Sequence, residues 1–128
     1  MELRATAAFG RWYQSLEDPE LARLVNQLRR ALTKLDERPI EPTAHLTQVV
    51  QAERHNIWRI KHPHQDGYAV RLLLWFPDDS DTEIVIVFAG NKHPNHDLWY
   101  DRATRESEAA VDQLLRQRQA KYDKEQQR

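Results

Sequence analysis

The sequence predicts an α+β fold: an N-terminal helical hairpin packed on one face of a small antiparallel β-sheet, followed by a C-terminal helix. Three observations predict it. Apolar residues recur every three or four positions from Leu21 to Leu35. Strand-like runs follow at 57–61, 68–76 and 83–89, separated by turn residues. A second three-and-four pattern then closes the chain. At 128 residues with 40% apolar side chains, there is room for one domain and a single small core.

Thr6 is a candidate N-cap for a short helix carrying Phe9, Trp12, Tyr13 and Leu16, with room for a brief edge strand before it. Asp18-Pro19 starts the second helix, because Asp accepts orphan N–H groups and Pro suits the first helical position. Leu21, Leu24, Val25, Leu28, Ala31, Leu32 and Leu35 form its apolar stripe, and Pro39 and Pro42 end it. From Pro39 to Asn56 the pattern is weak and reads as a loop with room for a short strand. Ile57 to Lys61, Tyr68 to Phe76 and Glu83 to Ala89 then read as a three-stranded antiparallel meander turned at Gly67 and at 77–81. In the last helix Ala103, Ser107, Ala110, Val111 and Leu114 share a side. Residues 1–116 make the domain, and 117–128 read as a polar C-terminal helix extension or a frayed, solvated tail.

The formal net charge is −1, the isoelectric point about 6.6 and the mean hydropathy −0.84, so no whole-molecule field draws the protein onto a polyanion. Charge is segregated instead. Four Lys or Arg face one Asp between Arg54 and Arg71, and acid concentrates at Asp78, Asp79, Asp81 and Glu83. The absence of cysteine excludes disulfides and thiolate chemistry. The longest apolar run, Ile84 to Ala89, is far short of the roughly 20 residues that cross a bilayer, and no basic-then-apolar signal pattern opens the chain. A cytoplasmic location without membrane association is the expectation.

Strand alternation puts Arg59 and Lys61 on one face, opposite Trp58 and Ile60. Arg71, alone among apolar residues of the next strand, must find an open face or a partner. If it shares the face, three cations converge; the same pattern also serves simply to solvate a free sheet face. The loop after the last strand adds Lys92 and His93, and Tyr100 follows at the start of the helix with a ring for stacking and a phenol for proton transfer. That set suits a phosphodiester: cations stabilise growing negative charge, and a titratable group moves a proton. The pairs His62/His64 and His93/His96 lie in Pro-containing loops without a metalloprotease motif, so neither a metal nor any other cofactor is expected.

The segments NIWRIKH, GYAVRLLLWF, TEIVIVFAGNKH and LWYDRA, in that order after two helices, resemble the RelE/ParE toxin superfamily of bacterial toxin–antitoxin systems over about residues 3 to 115. The resemblance implies a RelE-like fold and, for the RelE branch, metal-independent mRNA cleavage in the ribosomal A site through 2′-hydroxyl attack, neutralised by a cognate antitoxin. It implies roles for Arg59 and Lys61 as paired basic residues on a strand, for Lys92 as a phosphate-binding cation and for Tyr100 as the C-terminal tyrosine; the residues of the loop and helix start then leave His93 or Tyr100 to move the proton. Ala69 replaces the arginine expected after Gly-Tyr, and Arg71, two residues on, keeps the same face by strand parity. A ParE-like contact inhibitor of DNA gyrase and an inactive antitoxin-binding regulator are the alternatives on the same fold.

Overall fold

A computed structural model describes residues 1–63, 67–91 and 96–127. Along them run β1 (Glu2–Ala5), α1 (Ala7–Gln14), α2 (Pro19–Thr33), β2 (Leu46–Gln48), β3 (Ile57–Lys61), β4 (Val70–Trp75), β5 (Glu83–Asn91) and α3 (His96–Gln126). The fold is α+β. Its sheet has five strands in the order β1-β5-β4-β3-β2, mixed because β1 pairs with β5 in parallel while the other pairs are antiparallel.

Local chemistry sets the helix starts. The Thr6 side chain accepts the Phe9 N–H at 3.1 Å. Asp18 accepts the Glu20 and Leu21 N–H groups at 2.9 and 3.4 Å ahead of Pro19. These are the orphan donors that a helix N-terminus leaves to its cap. The second Asp18 oxygen accepts the Tyr68 hydroxyl at 2.6 Å, and His62 shares a hydrogen bond with Gln27 at 2.6 Å, so the connected end of the β3–β4 pair is tied to the start and middle of α2.

The sheet is covered on both faces. Phe9 of α1 and Leu24, Val25, Leu28 and Leu32 of α2 pack against Trp58, Ile60, Leu72, Leu74, Ile84 and Ile86. On the opposite face, Ala103 and Val111 of α3 meet Ile57, Leu73, Trp75, Val85 and Val87. Leu72, Leu73 and Leu74 are therefore all fully buried in succession, as a strand shielded on both sides must be.

Three expectations are corrected. The sheet is mixed and five-stranded, not a three-stranded antiparallel meander, since residues at each flank find a free strand edge to pair with. The helices do not share one face: α3 crosses to the other, because β4 and β5 are apolar on both sides. The chain opens with β1 ahead of the two N-terminal helices. Of the two readings of residues 117–128, the backbone follows the helix extension: it continues as one helix to Gln126, held by Arg118, which donates to Glu83 at 2.6 Å and lies 5.5 Å from the Trp75 ring centroid.

Removing buried volume from β4 tests this two-sided core. Leu72→Ala lowers stability by about 2–5 kcal/mol, whereas Leu115→Ala on exposed α3 surface stays within about 0.5 kcal/mol. Urea denaturation followed by circular dichroism measures both.

Candidate functional site

The register of the sheet builds the site. Arg59 pairs with Leu73 and Lys61 with Arg71 across β3 and β4, while Thr47 of β2 lies opposite Arg59. Cross-strand partners share a face. Arg59, Lys61 and Arg71 thus project from the face that α3 covers, opposite Trp58 and Ile60, which lie in the α1/α2 core.

Lys61 and Arg71 are like charges set directly across from one another, an arrangement that costs free energy in a sheet. Among the described residues no carboxylate lies within ion-pair distance of Arg59, Lys61 or Arg71. Arg71 donates from Nη1 to the Val70 carbonyl at 2.9 Å, and its buried Nε has no acceptor. The three cations are held together by backbone pairing, without a neutralising carboxylate among the described residues.

Tyr100 joins them from α3. Arg59 donates from Nε to the Thr47 hydroxyl at 2.8 Å and from Nη1 to the Tyr100 hydroxyl, with its guanidinium carbon 5.4 Å from the Tyr100 ring centroid. A cavity of about 190 Å³ opens there, lined also by Gln48 and Gln51. The tyrosine is placed by a chain of aromatic contacts: Phe88 meets Trp99 edge-on at 5.6 Å, and Trp99 meets Tyr100 at 5.0 Å. Two features of β5 make room for it. Val87 is an extra residue opposite the Leu73–Leu74 step, so Val87 and Phe88 both serve the α3 face and Gly90 comes to lie on it opposite Arg71. A Cβ at position 90 would sit 3.2 Å from two atoms of the Trp99 indole, closer than ordinary packing allows, so glycine admits the ring.

The far wall of the cavity is anchored to α3 by acid. Glu108, 7% exposed, accepts the backbone N–H groups of Glu53 and Arg54 at 3.2 and 2.9 Å and the Arg54 Nε at 3.2 Å. One turn on, Asp112 pairs with His55 at 2.8 Å and with Arg54 at 2.9 Å. Burial pushes the Glu108 carboxyl up, but the two N–H groups and the Arg54 guanidinium outweigh it, leaving the group below its ordinary value. The hydrogen bond from His55, helped by the charge of Arg54, likewise holds Asp112 down against its partial desolvation.

Of the expected site residues, the structure gathers Arg59, Lys61, Arg71 and Tyr100 at one end of one sheet face. Lys92 and His93 lie outside the described residues, directly after β5. Sequence reasoning missed Thr47, Gln48 and the Glu108–Asp112 anchor. The first two sit in a three-residue strand too short to show alternation; the anchor had a signal, since Thr104, Glu108 and Asp112 repeat every four residues beside the apolar row Ala103, Ser107 and Val111. A larger groove, of about 670 Å³, lies between α2 and β1 and is lined by Arg23, Asn26, Arg29 and Arg30. Arg23 there is already paired with Glu20, and neither histidine nor tyrosine is among its lining residues, whereas Tyr100 stands beside Arg59 on the other face. Among the described residues no group of three or more His, Asp or Glu is arranged to hold a metal ion, and no helix is long and apolar enough to cross a membrane.

Compared with known proteins, the chain matches no family model, and no curated protein is significantly similar to it.

The depressed carboxyls make stability fall in acid. A group whose pKa is lower in the folded state contributes stability above its unfolded value, and that contribution disappears as pH drops through the folded one. Glu108→Gln loses about 1–3 kcal/mol at neutral pH through weakened bonding to buried donors. Its stability also declines less than that of the parent as pH falls below about 4, read from urea midpoints across that range.

Proposed function

We propose that the protein is the toxin of a type II toxin–antitoxin system with a RelE-like fold, acting as a metal-independent endoribonuclease on mRNA, with the ribosome as its setting, and neutralised by a cognate antitoxin. The observation that carries the reading is the pairing of Lys61 with Arg71 beside Arg59 on one sheet face, with no carboxylate of the described residues at ion-pair distance and a tyrosine hydroxyl on the Arg59 guanidinium. Cations held together in this way favour an external anion, and a phosphodiester supplies one.

In this reading the substrate 2′-hydroxyl attacks the adjacent phosphorus and the 5′-oxygen departs, giving a 2′,3′-cyclic phosphate and a 5′-hydroxyl. Arg59 donates to the non-bridging oxygens, whose negative charge grows in the transition state, and Lys61 and Arg71 add positive charge from the adjoining positions of the face. Lys92 contributes a further cation from the segment after β5. Tyr100 or His93 carries the proton between the attacking and departing oxygens. The antitoxin reads as an acidic partner that covers the cationic face.

Transcript ends mapped after induced expression test the reading. Expected are new 5′-hydroxyl ends within coding regions. Arg71→Ala and Lys61→Ala reduce cleavage by about 10²-fold or more, with unchanged circular dichroism and thermal midpoint. Intact mRNA together with arrested DNA supercoiling overturns the ribonuclease in favour of a gyrase inhibitor. Intact mRNA with unimpaired growth favours an inactive antitoxin-binding regulator.

A further inference from the structure

We infer that the cationic face holds two consecutive phosphate subsites, the second built on His45, a residue that the motif reading does not touch. Resting on the proposed nucleic-acid substrate, this makes the ligand a single strand engaged through neighbouring phosphates.

The second subsite follows from the register. Leu46 pairs with Ile60, and the Lys61 N–H donates to the His45 carbonyl at 2.9 Å, so His45 lies opposite Lys61 as Lys61 lies opposite Arg71. Imidazole, ammonium and guanidinium thus form one row across three neighbouring chain segments, spaced by about 4.8 Å. The row faces its own cavity of about 350 Å³, which Pro63, Tyr68 and His62 also line and which is separate from the one at Arg59 and Tyr100. His62 is engaged by Gln27 and the Tyr68 hydroxyl by Asp18, so these two shape the wall. His45 is exposed and its side chain makes no hydrogen bond among the described residues, which leaves the imidazole available to a ligand.

Spacing links the cavities. Arg59 and Lys61 are two residues apart on β3, about 7 Å along the strand, a step comparable with that between successive phosphates on an extended single strand. Tyr100 lines the first cavity and Tyr68 the second, so an aromatic side chain stands beside each subsite.

Uncleavable probes test the site without calling on catalysis. Binding of a 2′-deoxy dinucleotide with one internal phosphate is compared with the same dinucleotide phosphorylated at its 5′ or 3′ end, by titration calorimetry on the full chain. The expected result is that one of the end phosphates tightens binding about tenfold and steepens the salt dependence of log K by about 0.7. His45→Ala should reduce that gain to less than about threefold, with the fold unchanged by circular dichroism. Equal affinity for all three probes overturns the second subsite, as does a gain that survives in His45→Ala. A chain that shows the gain but cuts no transcript keeps the two subsites and loses the ribonuclease reading, so the two failures are distinguishable.

Discussion

The antiparallel pairing of β3 with β4 holds two positive charges against their mutual repulsion, and the rest of the site depends on that constraint. Lys61 and Arg71 face one another because main-chain hydrogen bonds and the burial of Ile60 and Leu72 on the reverse side leave no other register. A slip of one residue by either strand would carry its own cation into the α1/α2 core and expose that strand's apolar side chains. The free energy of the core is thus what concentrates charge on the opposite surface. An anion bound there removes repulsion already present in the folded chain, so binding and stability are coupled in the same direction.

α3 supplies the complementary half. One helix carries Tyr100 to Arg59, the carboxylates of Glu108 and Asp112 to the β2–β3 connection, and Arg118 to Glu83 and Trp75. Its seat against the sheet is decided by small groups: Ala103 and Ser107 let the helix lie close, and Gly90 admits Trp99. The aromatic ladder from Phe88 through Trp99 to Tyr100 then sets the hydroxyl by packing, which resists displacement better than a single polar contact would.

Much of this was legible in the residues. The caps at Thr6 and Asp18, the α2 stripe, the three longer strands and the common face of Arg59, Lys61 and Arg71 all follow from patterns within a few residues. The run Leu72-Leu73-Leu74-Trp75 also contained the evidence for helices on both faces, because a strand open on one side alternates and this one does not. What could not be read was set at a distance. The parallel pairing of β1 depends on the exposed edge of β5, the facing of Gly90 on a bulge, and the place of His45 on the register of a three-residue strand. Each is decided by tertiary partners far along the chain, and local periodicity has no access to them.

The borders of the sheet carry a consequence of their own. The outermost strands are also its shortest, four residues in β1 and three in β2, with Glu2 and Arg4 charged along the first. Unpaired main-chain groups on a long flat border invite a neighbouring molecule to continue the ladder, and stubby, charged rims give such stacking little to grip. The long, strongly apolar segments that would template fibrils stay sequestered at the centre, so the architecture that gathers charge at one end also keeps its most adhesive stretches out of reach.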